Sequence, residues 1–244
     1  MRRETQNILL VLLGGALLKL ALTGTYLRYV KESLQPWLVV TGGVMVVLAL
    51  VSIARDIRAG QSSAGQAQPS GVEHAGHEHG SSRSPWMLLL PVLAVFLISP
   101  PALGADTVNR SDRNAAQEAK ASSGFAPLPS DEVVPLTIGE FVTRTAWDDS
   151  GSLDNRTVKL TGFVVRKDAD VFIARLTISC CAADASPVKA KMVGQDFAAL
   201  PTDQWVEATG RVVPGSATKE SAFVPTFTVS QVVPITAPED TYEG

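Results

Sequence analysis

Three apolar runs, each close to the length of a membrane-spanning helix, limit what this chain can fold into. They cover residues 8–27, 36–54 and 85–104. The first is interrupted only by Lys19, and the second (PWLVVTGGVMVVLALVSIA) and third (PWMLLLPVLAVFLISPPALG) carry no charge. A helix needs about 20 apolar residues to cross roughly 30 Å of hydrocarbon, so each run predicts a transmembrane helix. Trp37 and Trp86 stand at the starts of the second and third runs, where interfacial aromatics belong.

The rest of the chain has a different character. Up to Gly104 there are eight Lys/Arg against five Asp/Glu, and from Ala105 onward thirteen against nineteen. A basic membrane half is therefore joined to an acidic soluble half, and an acidic domain is a poor phosphate binder, which argues against a nucleic-acid partner. Loop charges set the orientation. The N-terminus (Arg2, Arg3) and the loop at 55–84 (Arg55, Arg58, Arg83) share one side and outweigh Arg28 and Lys31 on the other. The N-terminus and the second loop are thus expected in the cytoplasm, and the C-terminal half outside a multi-pass cell membrane. No small-x-small site follows the first run, which reads as an uncleaved anchor. The stretch Ala102-Leu103-Gly104-Ala105 does resemble such a site, and cleavage there would release the soluble half.

Lys19 falls near the middle of the first run. An intramembrane charge points to a partner carboxylate in a larger assembly, and equally to a stem that snorkels to the interface. Gly14-Gly15 and Gly42-Gly43 permit close helix approach.

The loop at 55–84 is rich in Gly, Ser, Gln and Ala and cannot build a core. Within it, GVEHAGHEHG holds all three histidines of the chain, His74, His77 and His79. Their imidazoles, with Glu73 and Glu78, can meet around one Zn, Ni, Co or Cu ion in weak, exchangeable capture. A solvated linker is the alternative.

In the soluble half, 105–132 is polar and Ala/Ser-rich, a flexible tether, and an ordered domain is expected over 133–236 with a tail at 237–244. Residues 136–147 (LTIGEFVTRTAW) space Ile138, Phe141, Val142 and Ala146 as one helix face, opened by a Thr137/Glu140 capping box. Five strand patterns follow, at 157–166, 171–178, 187–193, 205–213 and 223–233, with one helical turn at 196–200. Gly162 and Gly210 fall inside strands, as a bulge or bend does. The predicted fold class is therefore three transmembrane helices followed by a mainly-β C-terminal domain, a small OB-like antiparallel barrel with a preceding helix.

The strings GFVVR, FIARLTISCCAADASPV and WVEATGRV, on three spans with a His-containing loop, resemble the YcgQ-like permease-subunit family of bacterial membrane proteins. Its most specific element is the FxxARxxxxCCxADA string at 172–185. The resemblance implies an accessory subunit of an envelope transport system that works with a polytopic permease protein in the bilayer. It brings no catalytic residues.

Cys180 and Cys181 are the only cysteines. Two thiolates suit Zn or Cu(I), with Asp184 as the nearest carboxylate and no histidine in the same half. A strained adjacent-Cys disulfide suits redox switching. The third reading is packing: if the strand runs through the pair, the side chains alternate and one thiol enters the core. Arg175 either pairs with Asp184, lines a site or sits at the surface. There is no phosphate-binding G-x-x-x-x-G-K-[ST] loop, no G-x-S-x-G elbow and no histidine base outside the linker, so an enzyme is not expected. The sequence leaves three functions open: an accessory permease subunit handling a transition metal, an envelope thiol redox or metal-sensing protein, and a scaffold for another membrane protein.

Overall fold

The computed structural model describes residues 3–63, 97, 102–111 and 125–243. The chain divides into two compact units, Met1–Tyr26 with Glu32–Pro101, and Leu27–Lys31 with Ala102–Gly244. The histidine loop, with His74, His77 and His79, and almost all of the third predicted span lie outside the described residues.

The first unit holds α1 (Arg3–Leu22) and α2 (Gln35–Ser63). Among the described residues one helix, Glu32–Arg58, is long and apolar enough to cross a membrane, and only 11% of its apolar window is buried. That exposure is unlike the core helix of a soluble protein. The two helices meet where Gly14 faces Gly42: a Cβ on Gly14 would lie 2.9 Å from the Gly42 carbonyl, and one on Gly42 3.0 Å from the Gly14 carbonyl. Gly15 and Gly43 face open space, so one glycine of each pair makes the close approach. The first run does not continue to residue 27. The Thr23 N–H and hydroxyl both donate to the Lys19 carbonyl, at 3.0 and 2.8 Å, and Gly24 turns the chain at φ +74°, a left-handed stop suited to glycine. Lys19 consequently lies in the last turn of a shorter helix rather than at mid-span, where a cation complements the helix C-terminus.

The second unit holds α3 (Ala105–Asn109), α4 (Ile138–Trp147) and seven strands: β1 (Val133–Leu136), β2 (Thr157–Lys167), β3 (Asp170–Thr177), β4 (Ser186–Val193), β5 (Trp205–Val212), β6 (Thr226–Pro234) and β7 (Tyr242–Glu243). They form one mixed sheet in the order β1-β2-β5-β6-β4-β3-β7, with β2 also paired to β3. The sheet is mixed because β1–β2, β4–β6 and β3–β7 are parallel, where the alternation pattern alone suggested antiparallel neighbours throughout. All five predicted strands are present within a few residues of their expected bounds. Residues 196–200 make one hydrogen-bonded turn, the Leu200 N–H donating to the Phe197 carbonyl at 3.0 Å, without becoming helix.

Two glycines allow close backbone approach inside strands. A Cβ at Gly162 would sit 2.6 Å from the Ala174 carbonyl, and one at Gly210 would sit 2.1 Å from the Thr228 carbonyl, beside the register shift in β5. One core packs α4 on the sheet, with Phe141 edge-on to Phe227 at 5.4 Å among Ile138, Leu160 and Ile173. A second core groups Val108, Phe163, Leu176 and Tyr242.

Two segments expected to be loose are built into this fold. Residues 105–109, inside the predicted tether, form α3: Ala105 and Val108 are buried, and Asp203 accepts from the Ala105 N–H at 2.7 Å. The predicted tail supplies β7, where Tyr242 is 3% exposed.

Candidate functional site

The site is a turn at the end of β3. The strand stops at Thr177 because the next residues turn outward: Ser179 and Cys180 form a bend, Cys181 makes an isolated bridge, and Ala182–Asp184 is one 3-10 turn. Asp184 organises it. Its Oδ1 accepts from the Ser179 N–H at 2.9 Å, and its Oδ2 accepts from the N–H groups of Cys180 at 2.9 Å and Cys181 at 3.4 Å. The Asp184 N–H donates in turn to the Cys181 carbonyl at 3.0 Å, closing the turn.

This geometry overturns the alternation expected of a continuing strand. Neither cysteine enters the core: Cys180 is exposed, Cys181 partly exposed, and both are free thiols. Their Sγ atoms lie 3.5 Å apart. Ligand atoms of Cys180, Cys181 and Asp184 all fall within 4.8 Å of one another, so the three residues named from the sequence do converge. Among the described residues they make the one such group of three or more His, Cys, Asp or Glu side chains.

The charges in the turn decide its reactivity. The Asp184 carboxylate beside the thiol, followed by the Cys181 sulfur, pushes the pKa of Cys180 up to about 12. The Cys180 thiol and the backbone N–H groups of Ser179 and Cys180 hold Asp184 down at about 2. Cys180 is therefore a protonated thiol at neutral pH. Fast thiol exchange needs a thiolate, whereas a soft ion displaces the proton as it binds.

One edge of the turn is covered by a segment that carried no signal in the sequence. Val30 bridges Cys181 in antiparallel fashion; the Lys31 N–H donates to the Cys180 carbonyl at 3.1 Å, and the Ala182 N–H donates to the Tyr29 carbonyl at 2.7 Å. The Tyr242 hydroxyl donates to the Arg28 carbonyl at 3.0 Å and accepts from the Leu103 N–H at 3.2 Å.

Arg175 neither pairs with Asp184 nor sits at the surface. It is 8% exposed, stacks over Trp205 at 5.0 Å and donates to the carbonyls of Asp240 and Tyr242 at 3.0 and 2.9 Å. Glu243 lies in the same neighbourhood and accepts from the Ile138 and Gly139 N–H groups at the start of α4, both at 2.8 Å. Burial, partly offset by these bonds, raises its pKa. The concavity beside these residues, about 520 Å³ and also bordered by Lys159 and Glu207, has charged groups that answer one another. Lys159 pairs with Glu207 at 3.4 Å. The Arg175 Nε is out of contact with water and has no hydrogen-bond partner, so it offers nothing to a ligand in that concavity.

No curated protein and no solved structure matches the chain. Residues 5–113 match the DUF1980 N-terminal domain and residues 142–243 the DUF1980 C-terminal domain. The chain carries, in order, the two domains of DUF1980, a family of uncharacterised function.

Proposed function

We propose that this protein is an accessory integral-membrane subunit of a transport system, of the YcgQ-like permease-subunit kind, and that its C-terminal domain holds a transition-metal ion outside the membrane. The observation that carries the reading is the cysteine turn: two free thiols 3.5 Å apart with a carboxylate in reach, presented at the surface rather than packed. Thiolate donors favour Zn or Cu(I) over Ni and Co. Three protein donors leave a coordination position open, which suits an ion that is passed on. A polytopic partner in the bilayer would supply the path.

The parts around the site support this. An OB-type barrel fits the pairing order, because β2, β3, β4, β6 and β5 each pair with the next and β5 returns to β2. A membrane location fits the exposed apolar surface of α2. Residues 27–31, between α1 and α2, are folded into the same compact unit as the cysteine turn, which supports a reading with loop and turn on one side of the membrane. That agrees with the orientation given by the loop charges.

Metal titration of the reduced full-length protein in detergent tests the proposal. One Zn(II) or Cu(I) per chain, lost in the Cys180→Ser/Cys181→Ser double variant, is the expected result. No binding at micromolar ion would sink the metal part. A protein that purifies from its native membrane without any polytopic companion would sink the subunit part.

A further inference from the structure

We propose that ion capture by Cys180 and Cys181 and the docking of residues 27–31 are one coupled equilibrium, so that the loop joining α1 to α2 reports whether the site is filled. The inference rests on the metal reading above and adds its regulation.

The argument begins with the backbone of the turn. The loop's two hydrogen bonds go to the Cys180 carbonyl and the Ala182 N–H, the peptide groups on either side of Cys181. On its other edge the same turn is held by Asp184 through three N–H groups. The chain between Ser179 and Ala182 is thus fastened on both sides, with its two sulfurs 3.5 Å apart. Two metal–sulfur bonds of about 2.3 Å at a tetrahedral angle put the sulfurs roughly 3.8 Å apart. The docked turn therefore comes within about 0.3 Å of a chelating geometry before any ion arrives. With the loop undocked, the Cys180 carbonyl and the Ala182 N–H lose their partners, and the dihedrals of Cys181 are free to spread the thiols. The ion then binds the docked state better than the undocked one. A ligand shifts an equilibrium only through such a difference, and the coupling is reciprocal. The Tyr242 hydroxyl on the Arg28 carbonyl anchors the segment at its other end, so the change is concentrated at residues 29–31, next to α2.

Hydrogen–deuterium exchange on the full-length protein in detergent, with and without Zn(II), tests this. Peptides covering 178–185 and 27–34 should both gain protection on adding Zn(II), and neither should change in the Cys180→Ser/Cys181→Ser variant. Lys31→Pro removes one of the two bonding N–H groups and should weaken Zn(II) binding by about fivefold or more, the low end of typical coupling. If Zn(II) binds and 178–185 is protected while 27–34 is unchanged, the coupling is refuted and the metal reading stands. If no Zn(II) binds, both fall. The exchange measurement on the unmodified protein decides the matter even where Lys31→Pro does not fold.

Discussion

Asp184 and Glu243 perform the same local task in opposite surroundings. Asp184 takes three backbone N–H groups in the cysteine turn, and Glu243 takes two at the start of α4. Hydrogen bonds favour the ionised form in both. Asp184 is exposed, and its pKa falls to about 2. Glu243 is withdrawn from water and its pKa rises, because desolvation outweighs the same kind of bonding and the nearby Arg175. One cap thus holds a surface turn in a shape that presents two thiols, and the other ties a strand, a helix and a buried arginine into the core. Burial separates a carboxylate that serves a site from one that serves the fold.

The largest expected effect comes from removing the buried member. Glu243→Ala leaves the Ile138 and Gly139 N–H groups without acceptors and takes a negative charge from beside Arg175. The expected loss is about 1.5–3 kcal/mol in urea denaturation, the range for bonds to a charged group. A loss no larger than that of Asp184→Asn would mean that the two caps are equivalent after all. Asp184→Asn, at an exposed cap, should cost less stability than Glu243→Ala and should release Cys180. With the carboxylate gone the thiol pKa falls from about 12, and alkylation by iodoacetamide at pH 8 should speed up on the order of tenfold. An unchanged rate would show that the carboxylate does not control the thiol.

The pH dependences should run in opposite directions. The contribution of Asp184 is present above the ordinary carboxylate value of 3.8 and disappears as pH falls through about 2. Glu243 has a raised folded-state value, so its contribution is full below 4.5 and declines as pH rises through that higher value. Denaturation of Asp184→Asn and Glu243→Gln across this acid range, each against the parent protein, should therefore give differences of opposite slope. The smallest effect is expected at Lys159→Ala. The Lys159–Glu207 pair is over a third exposed on both sides, and such pairs contribute about 1 kcal/mol or less.

What the sequence could show depended on whether the cause was local. The period-two patterns located β2 to β6, and Thr137 was correctly placed as the N-cap of α4, accepting from the Glu140 N–H at 3.0 Å. Only half of the capping box forms, because the Glu140 carboxylate pairs with Arg144 at 2.8 Å instead. The three metal-ligating candidates in the soluble half were legible because they lie within five consecutive residues. Their common face was not, since strand alternation predicts the reverse, and only the Asp184 bonds turn the chain. The clasp of Arg175, Tyr242 and Glu243 was invisible for another reason: Tyr242 and Glu243 follow a polar stretch with no alternation of their own, and β7 exists only because β3 offers an edge. Likewise Asp148, in a loop of small polar residues that gives no sign of burial, has a side chain only 6% exposed, because Arg144 and Ser152 close over it.

The segment 27–31 gives the cysteine-bearing domain a piece that the chain makes long before the rest. Arg28 and Tyr242 are 214 positions apart, and contacts of such long span form late, after the loop-closure entropy has been overcome. A fragment cut to begin at residue 102 would lack that piece, leaving the Tyr242 hydroxyl, the Cys180 carbonyl and the Ala182 N–H open to water at the very turn it was made to display. Ion affinities measured on such a soluble fragment would describe an unfinished domain, and the intact protein is the proper object for them.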